Sequence, residues 1–272
     1  MDEAVLTDKE QRLHVLLRQY GRVAVGFSGG VDSTLLLRVA RDVLGPEAVM
    51  AVIADTPSMP RSEFAEACAL ADAMGVVRVV TDSTELADPR YAENSSDRCY
   101  YCKKHLFARV AALAAEKGFH AVLDGNNADD AGDYRPGRRA SAELGVKSPL
   151  AEAGLTKEDI RVLSRRLNLS TADKPAMACL SSRIPYGSPV TVEALGQVER
   201  AEEALKAAGF KVCRVRHHGE VARIELAASA LSRLLDEPLR EAVVAAVKAA
   251  GFRYVTLDLQ GYRMGSLNAS LP

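Results

Sequence analysis

Residues 22–33 read Arg22-Val23-Ala24-Val25-Gly26-Phe27-Ser28-Gly29-Gly30-Val31-Asp32-Ser33. The first half is a short apolar run with β-branched residues, which predicts a buried strand over 22–27. The second half is a turn of small and hydroxylated residues. The apolar spacing of Leu35 to Leu44 then predicts a helix stopped by Gly45. A Gly-rich turn between strand and helix gathers backbone N–H groups at the positive end of the helix and so makes an anion site. Gly29 and Gly30 allow close backbone approach, and Ser28 and Ser33 add hydroxyl donors. The turn holds no lysine, so it is not the GxxxxGK[ST] loop that transfers a terminal phosphate, and it lacks the three-glycine dinucleotide pattern.

Outward from this stretch, strands are predicted at 48–54, 76–80 and 120–123, with helices at 60–74 and 100–117 between them. Upstream, Thr7-x-x-Glu10 has the form of a capping box opening a helix that runs to Tyr20 and stops at Gly21. Strands alternating with helices predict a parallel sheet, with ligands at the carboxyl ends of the strands. Asp124-Gly125-Asn126-Asn127-Ala128-Asp129-Asp130 follows the fourth strand, which puts it on the same sheet edge as the Ser-Gly turn. Gly125 and Asn126 become candidate nucleotide contacts, and Asp129 and Asp130 candidate Mg²⁺ ligands, although Asn and Asp also favour ordinary turns. After Leu169 the periodicity fades through a proline-containing segment. A second pattern follows: a helix at 192–208, strands at 211–216 and 220–226 turning at Gly219, helices at 229–235 and 237–250, and a strand at 254–259. The expected architecture is an α/β parallel-sheet domain over 1–174 and a smaller α+β domain over 175–272.

A length of 272 residues fits about two domains. Apolar residues at 48% and charged residues at 26% exclude a disordered chain. No apolar run approaches the roughly 18 residues a membrane span needs, and residues 1–12 lack a signal-peptide core, so a cytoplasmic protein is expected. A net charge of -1 argues against broad nucleic-acid binding. Five cysteines, an odd number, point to metal binding or catalysis rather than a disulfide framework.

Cys99 and Cys102 open a predicted helix, and its N-terminus together with Arg98, Lys103 and Lys104 favours thiolate. Cys179 stands in Ala178-Cys179-Leu180-Ser181-Ser182-Arg183 of the proline-containing segment. With His105 these residues form a zinc ligand set. Without it, three thiolates leave one iron of an iron–sulfur cluster free to carry exogenous sulfide. Cys68 and Cys213 read as core residues. Arg214 and Arg216 alternate on a strand and share a face, which suits a phosphate or a solvated surface; His217, His218 and Arg183 are near in sequence. Arg135, Arg138 and Arg139 read as a basic surface loop.

Phe27-Ser28-Gly29-Gly30-Val31-Asp32-Ser33 resembles the pyrophosphate loop of the ATP pyrophosphatase superfamily. The resemblance implies cleavage of ATP to AMP and pyrophosphate, with Ser28, Gly29, Gly30 and Ser33 on the pyrophosphate and Asp32 near Mg²⁺ or positioning the loop. The composite of 97–107 (DRCYYCKKHLF), 179–187 (CLSSRIPYG) and 214–226 (RVRHHGEVARIEL) is similar to one branch, the LarE family of sulfur transferases, over nearly the whole chain. That family matures the nickel-pincer cofactor of lactate racemase. It implies adenylation of a carboxylate of pyridinium-3,5-biscarboxylate mononucleotide, thiocarboxylate formation, a sulfide donor and a homo-oligomer, often a hexamer. Arg214, Arg216 and Arg183 then meet the substrate phosphate. Cys179 matches the cysteine that sacrificial members convert to dehydroalanine. Cys99 and Cys102 depart from that single-cysteine pattern and favour the branch in which three cysteines hold a [4Fe-4S] cluster. The competing readings are tRNA thiolation, an adenylating amide ligase and a nucleotide-binding module without catalysis.

Overall fold

The computed structural model describes residues 3–132, 136–175 and 178–263. The chain divides into two compact units, Met1–Glu85 with Asp97–Met177, and Leu86–Ser96 with Ala178–Pro272.

In the first unit β1 (Val23–Gly26), β2 (Val49–Asp55), β3 (Val77–Asp82) and β4 (Ala121–Leu123) form a parallel sheet in the order β3-β2-β1-β4. Side chains alternate across it. Val23, Val25, Val49, Ala51 and Ile53 join one core cluster, while Ala24, Met50 and Val52 join another. Helices α1 (Glu3–Tyr20), α2 (Val31–Leu44) and α3 (Arg61–Ala73) contribute to the first cluster, and α5 (Arg98–Glu116) to the second. A sheet covered on both faces explains why its central strands read as unbroken apolar runs. The parallel order brings the chain out of all four strands at one edge.

The sequence pattern did not reveal α6 (Pro136–Glu143), α7 (Pro149–Glu152) or α8 (Lys157–Arg166). Thr156 caps α8 in a reciprocal capping box with Asp159. The box expected at Thr7 does not form. The first helix already begins at Glu3, and the Thr7 hydroxyl donates instead to the Glu3 carbonyl at 2.9 Å.

The second unit carries α4 (Pro89–Ala92), α9 (Val192–Ala207), β5 (Cys213–His218), β6 (Val221–Leu226), α10 (Glu237–Ala249) and β7 (Tyr254–Leu257). β5 and β6 form the expected antiparallel hairpin, with Gly219 at φ 63° in its turn, and β7 pairs parallel to β6. Residues 228–235 form a 3-10 helix in place of the predicted α-helix. Among the described residues no helix is long and apolar enough to cross a membrane.

Candidate active site

The Ser-Gly turn leaves β1 and enters α2 through Gly30, which caps the helix without a side-chain bond. The turn's N–H groups therefore stay available for an anion. Ser28 Oγ and Ser33 Oγ lie 3.2 Å apart. Gly29 has φ +67°, and a methyl group there would also press on Ala67 of α3 at 3.0 Å, so any other residue is strained and needs Ala67 to give way. Gly125 closes the site from the β4 side, where an added methyl would meet the Ser33 backbone nitrogen at 3.1 Å. The two loops that the sequence places on one edge thus touch.

The lysine that the turn lacks comes from elsewhere. Lys157, the first residue of α8, donates from Nζ to Asp32 Oδ2 at 2.5 Å, and its backbone N–H donates to Asp129 at 2.8 Å. Asn127 Nδ2 donates to the other Asp32 oxygen at 3.4 Å. The Asp124 carboxylate accepts from the Asn126 side chain at 2.6 Å and the Ser148 hydroxyl at 2.7 Å, which fixes the second loop. Asp130 accepts from the Asn127 N–H at 2.9 Å, and Arg138 donates to its carbonyl at 2.7 Å. Asp129 and Asp130 are thus already engaged by backbone N–H groups.

A second lysine, Lys174, is half-buried beside the turn. Its ammonium pairs with Glu63 at 2.6 Å and Glu66 at 2.7 Å and donates to the Gly29 carbonyl at 3.3 Å. Burial by itself lowers its pKa, but its hydrogen bonds to the Glu63 and Glu66 carboxylates hold the group above its ordinary value, and hence charged. Beyond the ends of β2 and β3, a cavity of about 440 Å³ is lined by residues that include Ala54, Thr81, Asp82, His105 and Arg109.

Cys99 and Cys102 stand one turn apart at the start of α5, the first exposed and the second half-buried, and neither is in a disulfide. That start is braced by α6. Tyr100 donates to Glu143 at 2.7 Å, and the Arg139 guanidinium lies 4.0 Å over the Tyr100 ring. Arg138 and Arg139 therefore belong to a helix rather than a surface loop; Arg135 lies outside the described residues.

In the second unit Cys179 is an exposed free thiol at the N-cap of a 3-10 turn, Leu180–Arg183. Arg183 is 1% exposed. It forms a bidentate pair with Glu202 at 2.9 and 3.0 Å and donates to the Ala178 and Cys179 carbonyls at 2.6 and 2.9 Å. Burial opposes its charge, but Glu202 raises its pKa above the ordinary value. Arg216 forms a second bidentate pair with Glu225, at 3.0 and 2.7 Å, and donates to the Ser182 carbonyl at 3.0 Å. Both guanidiniums therefore hold the turn that follows Cys179. Arg214, on the same strand face, is half-buried under Tyr262 and has no carboxylate partner among the described residues. Burial, then repulsion from Arg183, lowers its pKa. Cys213 lies in the core, and burial pushes its thiol up to about 11. Among the described residues no group of three His, Cys, Asp or Glu side chains converges on a metal position.

Over 268 residues this chain is 41% identical to pyridinium-3,5-bisthiocarboxylic acid mononucleotide synthase of Lactiplantibacillus plantarum, covering 98% of this chain and 96% of that one. The chain belongs to the LarE family of ATP-dependent sulfur transferases. Residues 8–111 match the NAD synthase family, a segment that includes the Ser-Gly turn. An uncharacterized protein of Synechocystis sp. is 42% identical over 98% of this chain and 99% of its own. Another, of Methanocaldococcus jannaschii, is 28% identical over 89% of this chain and 91% of its own.

In this LarE-family chain, motif reading missed Lys157, Lys174, Glu202 and Glu225. One of them left a trace: Thr156-x-x-Asp159 is a capping pattern whose first helical residue is Lys157. The others are single residues in helices, strands or connecting chain and carry no local signal.

Proposed function

We propose that the chain adenylates a carboxylate of pyridinium-3,5-biscarboxylate mononucleotide and then converts it to a thiocarboxylate, working as a homo-oligomer. The observation that carries this reading is the full-length similarity to a synthase named for the corresponding bisthiocarboxylic acid. In the first stage a substrate carboxylate oxygen attacks the α-phosphorus of ATP, the bond to the bridging oxygen breaks, and pyrophosphate leaves. Ser28, Gly29, Gly30 and Ser33 hold the pyrophosphate, and Gly125 and Asn126 shape the facing wall. Lys157 exchanges part of its bond with Asp32 for the incoming phosphate. Asp32 is the first candidate to hold Mg²⁺, which when bound neutralises phosphate charge. Asp129 and Asp130 are further candidates that at present cap the backbone.

In the second stage sulfide sulfur attacks the carbonyl carbon of the acyl-adenylate, the carbon–oxygen bond to phosphate breaks, and AMP leaves. Cys99, Cys102 and Cys179 form no disulfide, and as a soft donor set they suit iron. These three cysteines would hold a [4Fe-4S] cluster, which when bound would supply an iron able to take up exogenous sulfide. Arg214 binds the substrate phosphate, while Arg183 and Arg216 contribute through the turn they hold. A second reading rests on the exposure of Cys179: its own sulfur is transferred and the residue becomes dehydroalanine. The NAD synthase match favours an amide ligase only for the adenylating half, and -1 net charge weighs against tRNA thiolation.

The test combines iron and acid-labile sulfide content after anaerobic reconstitution with intact mass after turnover. A relay cluster needs all three cysteines, tolerates His105→Ala and turns over repeatedly when sulfide is supplied. Zinc would be lost on His105→Ala. Loss of one H₂S from Cys179, with full activity in a Cys99→Ala, Cys102→Ala double variant, would replace the cluster with the sacrificial mechanism.

A further inference from the structure

We propose that residues 86–96 form a positioning strap for the turn that presents Cys179, with Asn94 as its clasp. The strap lies in sequence between β3 and α5, yet it belongs to the unit that carries Cys179. Asn94 is fully buried and sits at φ 59°, a left-handed conformation that Asn tolerates and most residues avoid. From there its side-chain Nδ2 donates to the carbonyls of Pro185 at 2.8 Å, Ser188 at 2.9 Å and Ile184 at 3.2 Å. Its own carbonyl accepts from the Gly187 N–H at 3.1 Å, and the Ala92 carbonyl accepts from the Val190 N–H at 2.8 Å. Tyr91 is 1% exposed, and its hydroxyl shares a 2.7 Å hydrogen bond with that of Ser181, two residues after Cys179.

The stretch from Ala178 to Val190 is therefore fixed from two sides. Arg183 and Arg216 hold the carbonyls of Ala178, Cys179 and Ser182. The strap holds those of Ile184, Pro185 and Ser188. Leu180, Ser181, Arg183, Ile184 and Val190 of this stretch are buried, so protein donors rather than water satisfy its carbonyls, while Cys179 at its head stays exposed. Anchors at six carbonyls fix the one free thiol at the head of the turn. The strap continues through Asp97 into α5, so the segment that clasps the Cys179 turn is also the covalent lead into the Cys99–Cys102 helix. The catalytic consequence rests on the reading that Cys179 handles sulfur.

Two variants test the strap. Asn94→Gly keeps the left-handed backbone and deletes the three side-chain bonds, while Tyr91→Phe deletes one hydroxyl. Hydrogen exchange should speed up at the amides of Ser182, Ile184, Gly187 and Val190 in Asn94→Gly. Pyrophosphate release should stay within about twofold, whereas thiocarboxylate formation should fall at least about tenfold, as expected when a reacting group loses its fixed position. Tyr91→Phe should show the same split to a smaller degree. Unchanged thiocarboxylate formation in Asn94→Gly, despite faster exchange, would overturn the proposal. An equal fall in both steps would overturn it too, because that is the mark of a merely structural residue. The sulfur reading fails on a different variant, Cys179→Ala, if thiocarboxylate formation persists there.

Discussion

Lys157 brings an ammonium to Asp32 of the Ser-Gly turn, which has no lysine of its own. Its pair with Asp32 is about a quarter to a third exposed, so the pair adds less than about 1 kcal/mol to stability. In the proposed role, its contact with an incoming phosphate would be a charge-assisted bond worth roughly 1.5–3 kcal/mol, or about 10- to 150-fold. Lys157→Met should therefore slow pyrophosphate release by that factor with little change in melting temperature; an unaltered rate removes Lys157 from the site. Arg214 and Arg216 occupy alternate positions of one strand but face different fates. Arg216→Ala takes the bidentate partner from Glu225, which is 1% exposed and keeps Arg223, and breaking a buried pair costs up to about 3–5 kcal/mol. Arg214→Ala leaves no buried carboxylate unpaired. Titration calorimetry should find it folded, with weakened substrate binding and unchanged ATP binding. Equal loss for both ligands would place Arg214 elsewhere.

Among the elements, β5 carries a pH dependence. His217 is half-buried, shares a 2.9 Å hydrogen bond with Gln197 and meets Phe252 edge-on; burial lowers its pKa. Burial, then Arg223, lowers that of His218 as well. A folded pKa below the unfolded one means that the stabilisation is complete above the unfolded value of about 6.5 and is lost as pH falls through the folded value. Urea midpoints for the second unit should therefore decline below about pH 6.5. The decline should be shallower in a His217→Gln, His218→Gln double variant; an identical slope would assign it to other groups. The same strand shows why its arginines divide. Arg216 stands opposite Arg223 in the ladder, and Glu225 joins both, meeting Arg216 diagonally across the pair and Arg223 two residues along its own strand. The position of α8 matters in a comparable way, since its capping box sets where Lys157 begins the helix.

Across the whole molecule, the Ser-Gly turn and the 124–130 loop belong to one unit and Cys179 to the other. The two stages should therefore separate. A chain with Cys99, Cys102 and Cys179 all replaced by Ala should keep substrate-dependent pyrophosphate release and lose thiocarboxylate formation. Loss of pyrophosphate release in a folded variant would make the cysteines part of the adenylating site. Much of the first unit was legible, because each strand–turn–helix unit is written in contiguous residues. α6 to α8 were not, because their short apolar stripes lie in a chain rich in Gly, Ser and charge.

The sequence by itself determined the parallel α/β core, the phosphate loop and the hairpin of the second unit. All three depend on local periodicity, turn chemistry and the conformational freedom of glycine. Only the tertiary structure decided which charges are spent on internal partners. Lys157 reaches Asp32 across 125 positions, and Lys174 reaches Gly29 across 145. Arg183 is neutralised by a glutamate 19 residues away, and Asn94 clasps a turn about 90 residues downstream. Ion pairing and carbonyl anchoring are set by burial and distance in space. Neither is encoded in the spacing of residues along the chain, so arginines that look alike in sequence divide into those that hold the scaffold and one without a carboxylate partner among the described residues.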